Sequence, residues 1–119
     1  MITIYHNPRC SKSREALALV EKFAASSNQA IDVVEYLKTP PTLAQLTMLR
    51  GQLGTGVGDM VRTNEDEYLS LNLAQADDDA LLRALAAHPK LLQRPLVVYQ
   101  ERALIARPPE LLSDFLPRY

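Results

Sequence analysis

The stretch Ile2-Thr3-Ile4-Tyr5-His6-Asn7-Pro8-Arg9-Cys10-Ser11-Lys12-Ser13-Arg14-Glu15-Ala16-Leu17 changes its period half-way along. That change decides the fold. Ile2 to Tyr5 is a short run rich in β-formers, apolar on successive positions, which is the pattern of a buried strand. His6-Asn7-Pro8-Arg9 breaks the run. From Ser11 onward the period is helical: Ala16, Leu17, Val20, Phe23 and Ala24 form one stripe, and Lys12, Glu15 and Glu21 lie off it. Ser26-Ser27-Asn28 ends the helix, and Ile31-Asp32-Val33-Val34-Glu35-Tyr36 reads as a second strand. A connection of this length suits a right-handed crossover, so the two strands are expected to run parallel.

Further along, Thr39-Pro40-Pro41-Thr42 is a stiff break with Thr42 as a candidate helix cap, followed by Leu43, Leu46, Leu49 and Leu53 at helical spacing. The glycines cluster between Gly51 and Gly58 and predict a loop. Short helical pieces follow, with Asp77 to Asp79 leading into Leu81, Leu82 and Leu85, until His88-Pro89 stops the run. Leu96 to Tyr99 and Ala103 to Ala106 read as two strands joined by the polar turn Gln100-Glu101-Arg102, hence a hairpin. Pro108-Pro109 opens a last helix through Leu111, Leu112, Phe115 and Leu116. The expectation is an α/β chain in the order β-α-β, helical insertion, β-β-α, with a mixed four-stranded sheet. Residues 1–119 read as one domain, and the insertion, at about 42–90, is too apolar to be disordered.

Composition narrows the function. The 119 residues carry a net charge of -1, so there is no basic field to hold nucleic acid or an anionic membrane, and any anion site must be built locally. No apolar run is long enough to span a bilayer, and the first residues show neither a basic nor a hydrophobic leader segment. A single cysteine excludes an intrachain disulfide and fits a reducing compartment. The cytoplasm is the expected location, and nothing demands more than a monomer.

Cys10 stands where the first strand ends and the first helix begins. Free N–H groups and the positive end of the helix dipole favour thiolate there, and thiolate is the nucleophilic form. A free thiol with a pKa of about 8.5 is only about 3% ionised at neutral pH. Arg9, Lys12 and Arg14 add positive charge nearby; Ser13 is placed to donate a hydrogen bond to the sulfur, and His6 contributes according to its protonation. The polar flanks separate Cys10 from any apolar stripe, so it reads as a reactive thiol rather than a small core residue.

Cys10-Ser11-Lys12-Ser13 has the form C-x-x-S, which leaves no second thiol to resolve an intermediate, so an external thiol is required, glutathione being the obvious one. The position six after Cys10 is Ala16 rather than Arg, which argues against a phosphatase-like loop. The glycine cluster is not a nucleotide loop: it lacks Gly-Lys-Ser/Thr and follows a helix. His6 and His88 are too isolated to propose a metal site. Arg62, Arg94 and Arg107 each stand near a strand end or loop, and a guanidinium fork suits a tetrahedral oxyanion. Arg94-Pro95 before the third strand resembles the cis-proline position of thioredoxin-like folds.

His6-Asn7-Pro8-Arg9-Cys10-Ser11-Lys12-Ser13-Arg14 resembles the active-site segment of the glutaredoxin-coupled arsenate reductase family. Val61-Arg62-Thr63-Asn64, His88-Pro89, Arg94-Pro95-Leu96-Val97-Val98 and Arg107-Pro108-Pro109-Glu110 resemble its later motifs, in order along essentially the whole chain. Ser11-Lys12 departs from the Gly-Thr pair of plasmid-borne enzymes, and the short run after the last helix is similar to the short chromosomal branch. The resemblance implies a thioredoxin-like fold with a helical insertion. It implies Cys10 as the nucleophile toward arsenic, Arg62, Arg94 and Arg107 as oxyanion-binding residues, and His6, Ser13, Arg14 and Pro95 as residues that tune or order the site. It further implies glutathione as co-substrate, glutaredoxin as partner, and no bound metal or cofactor. Two other readings keep the thiol: a thiol-dependent reductase or glutathione-transfer protein with another substrate, which would not need three arginines, and a non-catalytic redox or transcription regulator, whose relatives commonly carry C-x-x-C.

Overall fold

A computed structural model of the chain describes residues 1–117. The elements run β1 (Ile2–His6), α1 (Ser11–Ser27), β2 (Ile31–Glu35), α2 (Leu43–Leu53), α3 (Asp66–Ser70), α4 (Asp78–Ala87), β3 (Leu96–Tyr99), β4 (Arg102–Ile105) and α5 (Leu112–Phe115). They fall into two compact units. One joins Met1–Tyr36 to the segment from Arg94 onward; the other is Leu37–Gln93.

The first unit is an α/β layer. Its mixed sheet has the order β2-β1-β3-β4. β1 runs parallel to β2, with Ile2 opposite Ile31 and His6 opposite Glu35. β3 is antiparallel to both β1 and β4. The expected crossover and hairpin are therefore both present. Ile2 and Ile4 pack with Ala16, Val20 and Ala24 of α1, and with Val97, Tyr99, Leu112 and Leu116, into one buried cluster. This is the helical stripe of the sequence meeting one face of the sheet. Phe23 closes it edge-on against Tyr99, ring centroids 5.5 Å apart.

The hairpin turn is tighter than expected. Arg102 already pairs with Tyr99, which leaves only Gln100 and Glu101 in the loop, both at positive φ (52° and 63°). Two left-handed residues match the twist of a two-residue hairpin, although neither is the glycine or asparagine that usually marks one. Ile4 is fully buried, and Val33 on the edge strand β2 is 44% exposed. Ile4→Ala is expected to cost about 2–5 kcal/mol, and Val33→Ala at most about 0.5 kcal/mol, in denaturant unfolding.

The second unit is helical. Thr42 caps α2 as expected: its hydroxyl accepts from Gln45 N at 3.1 Å, and the Gln45 side chain accepts from Thr42 N at 2.9 Å. The predicted glycine loop is shorter than it looked. Gly51 lies inside α2, Gly54 ends that helix in the left-handed region (φ 70°), and Gly56 (φ 98°) leads into a 3₁₀ turn at Val57–Met60. Asp77 caps α4 by accepting from Ala80 N at 2.9 Å, so the acidic run is a helix start. α2 packs on α4, with Leu46, Leu49, Leu82 and Leu85 buried. An isolated antiparallel bridge joins Val61 to Leu92. Among the described residues no helix is long and apolar enough to cross a membrane.

Candidate active site

The loop between β1 and α1 is built by local hydrogen bonds. Cys10 N donates to Asn7 O at 3.0 Å, which closes a four-residue turn with Asn at its first position and Pro at its second, the residues such turns favour. Asn7 Oδ1 accepts from Arg9 N at 3.0 Å. Arg14 Nη1 donates to Pro8 O at 2.9 Å and ties the turn to α1. Cys10 thus arrives in extended conformation (φ -96°, ψ 122°) as the residue capping α1, and its carbonyl accepts the Arg14 N–H at 3.0 Å.

Ser13 is fully buried but does not give its hydroxyl to the sulfur as expected. Its Oγ accepts the Asn7 N–H at 3.0 Å and lies 2.7 Å from His6 Nδ1. Burial lowers the His6 pKa, against the opposing charge of Glu35. The ring is therefore neutral at neutral pH. His6 Nδ1, Ser13 Oγ and the Asn7 N–H thus form one hydrogen-bonded cluster within the loop.

Burial by itself would raise the Cys10 pKa. The backbone N–H of Ser13, the charge of Arg94, the backbone N–H of Lys12 and the Arg107 guanidinium outweigh it, and the net shift is downward. Cys10 makes no capping hydrogen bond of ordinary geometry, so its sulfur feels these N–H groups as aligned dipoles. The cations that act on it are the sequence-distant ones. Arg107 Nη1 lies 3.8 Å from Cys10 Sγ and also donates to Arg94 O at 3.4 Å. Two of the cations near in sequence are engaged elsewhere: Lys12 pairs with Glu15 at 3.5 Å, and Arg14 holds Pro8.

Arg94 and Arg107 are brought to the cysteine by β3 and β4. Both precede a proline through a cis peptide bond, and Ala106 N donates to Pro95 O at 2.9 Å, so Pro95 and the end of β4 are locked together. Arg94 Nε is buried without a hydrogen-bond partner among the described residues. Arg62 belongs to the helical unit. Its backbone N donates to Leu91 O at 2.7 Å, and its guanidinium pairs with Glu65 at 2.8 Å, both side chains about one-fifth exposed. One residue of the β1–α1 loop escaped the sequence reading: Asn7, foreshadowed by the Asn-Pro turn signal.

A thiol with its pKa lowered, in contact with Arg107 and under the charge of Arg94, is equipped to attack an electrophilic anion. The ArsC family profile matches residues 5–115, a span that contains Cys10, Arg62, Arg94 and Arg107. The chain belongs to the ArsC family. It is 46% identical over 118 residues to a Neisseria meningitidis protein named arsenate reductase, covering 97% of each chain. It is 44% identical over 118 residues to the Escherichia coli K-12 protein YfgD, covering 97% and 96%, and that name assigns no activity. Among solved structures, the arsenate reductase from Vibrio cholerae superposes with a TM-score of 0.87 at 47% identity, 97% of each chain covered. The α/β fold of this chain, with the four-stranded mixed sheet expected from the order of its elements, matches solved ArsC structures.

Proposed function

We propose that this ArsC-family chain is an arsenate reductase that takes its electrons from glutathione, with glutaredoxin completing the cycle. The observation that carries this reading is the thiol of Cys10, with its pKa lowered, in contact with Arg107 at 3.8 Å. The Cys10 thiolate attacks arsenic(V), and an oxygen of arsenate leaves as hydroxide or water. Glutathione then displaces a second arsenate oxygen as water. The Cys10 and glutathione sulfurs join as both arsenic–sulfur bonds break, and the electron pair stays on arsenic. Rehydration releases arsenite, while a Cys10–glutathione disulfide is left for glutaredoxin and a second glutathione to reduce. With one cysteine in the chain, the resolving thiol comes from outside.

The arginines answer an electrostatic problem. Two unit negative charges at 4 Å repel by about 4 kcal/mol near a protein surface, enough to suppress the encounter about a thousandfold. Arg107 and Arg94 offset that repulsion, and their forks match arsenate oxygens. Arg62 is proposed as a third anion-binding group because of the Val-Arg-Thr-Asn motif it stands in. The enzyme would work as a monomer in the reducing cytoplasm, where glutathione is available, without a bound metal or cofactor.

Arsenate-dependent NADPH oxidation, coupled through glutathione, glutaredoxin and glutathione reductase, tests the reading. Turnover that needs both arsenate and glutaredoxin supports it. No turnover, with Cys10 still rapidly alkylated, transfers the thiol to another substrate.

A further inference from the structure

We propose that Asn7 is a positioning residue for the Cys10 thiolate, acting through the turn that delivers the sulfur to the start of α1. The inference rests on Cys10 being the reactive thiol, as proposed above, but not on arsenate being its substrate.

Asn7 engages three partners in and around this loop. Its backbone N–H goes to Ser13 Oγ, its carbonyl accepts from Cys10 N, and its side-chain Oδ1 accepts from Arg9 N. The first two bonds use the Asn7 backbone and remain available in Asn7→Ala and Asn7→Ser. The third belongs to the side chain alone. It is an Asn-templated turn laid over the backbone turn, and it fixes the peptide two residues after Asn7. Pro8 lacks an N–H, its carbonyl is taken by Arg14, and the Arg9 and Cys10 N–H groups are taken by Asn7. The turn is thereby satisfied internally, while the Lys12 and Ser13 N–H groups act on the sulfur. Without Oδ1, the Arg9 peptide loses its partner, and the angle at which Cys10 enters the helix is set less tightly. The sulfur then spends less time against those dipoles and against Arg107.

The test is the pH profile of iodoacetamide alkylation of Cys10 in the full chain, with thermal unfolding followed in parallel. It compares wild type, Asn7→Ala and Asn7→Ser. Serine offers a weaker acceptor for the same N–H. Loss of one hydrogen bond of ordinary strength corresponds to about a fivefold drop in alkylation rate at neutral pH for Asn7→Ala. Its midpoint should rise, and Asn7→Ser should fall between Asn7→Ala and wild type. A wild-type midpoint in a folded Asn7→Ala overturns the proposal. So do equal shifts in both variants that merely track lost thermal stability. Should Asn7→Ala not fold, Asn7→Ser decides: a raised midpoint supports the positioning role, and an unchanged one removes it. Because the readout is the thiol itself, failure of arsenate turnover in the wild type would sink the proposed substrate and leave this result standing.

Discussion

Cys10→Ser is expected to abolish arsenate turnover, by about a thousandfold or more, while leaving the fold intact. A serine hydroxyl is not ionised near neutral pH and cannot supply the polarisable anion that attacks arsenic, and removal of a nucleophile typically costs at least this much. The substitution should be benign structurally. Cys10 caps α1 in extended conformation, where serine is among the preferred residues and can accept from the exposed N–H groups of the first turn. Thermal unfolding at or slightly above the wild-type temperature, together with lost turnover, is therefore the expected pair of results in the coupled assay. Retained turnover would remove the cysteine mechanism.

The second large effect concerns charge at the sulfur. Arg107→Ala deletes the guanidinium 3.8 Å from Cys10 Sγ, and Arg94→Ala deletes a charge that lowers the thiol pKa. Each should lower kcat/KM for arsenate by about a hundredfold, as loss of a charge-assisted donor to a developing anion does. Arg102 is the control. Its guanidinium is spent on Phe115, donating to the carbonyl at 3.1 Å and stacking 4.8 Å from the ring centroid. Arg102→Ala should keep kcat/KM within about threefold and cost up to about 1 kcal/mol of stability. Arsenate saturation curves separate the cases, and equal losses in all three variants would mean that the anion binds elsewhere.

How far these features could be read without coordinates depended on their range. The unit from β1 to β2 was legible because Ile2 to Tyr5 and Ala16 to Ala24 have different periods and a polar break between them. The hairpin was legible from its two apolar runs, but not its turn residues, because Gln100 and Glu101 adopt left-handed backbone without the usual glycine. Cys10 at a helix start was visible for the same local reason as β1. What acts on the cysteine was not. Arg9, Lys12 and Arg14 were the near cations, yet Arg94 and Arg107 are the ones that lower its pKa. That contact spans 97 positions and exists only because β3 and β4 join the sheet beside β1. Their places beside strand ends and their Arg-Pro steps, together with the family motifs, point to those two arginines; periodicity does not. The Ser13 hydroxyl was expected on the sulfur and instead meets His6 Nδ1 and the Asn7 N–H, a choice that depends on how the loop folds and not on spacing along the chain.

The most direct measurement is the rate of Cys10 alkylation against pH in the intact protein, with and without arsenate. A thiolate held by the α1 N–H groups, Arg94 and Arg107 gives a midpoint below the ordinary thiol value of about 8.5, and arsenate bound at those arginines slows the reaction. A midpoint at or above that value, with no protection by arsenate, would contradict both the activated thiol and the anion site.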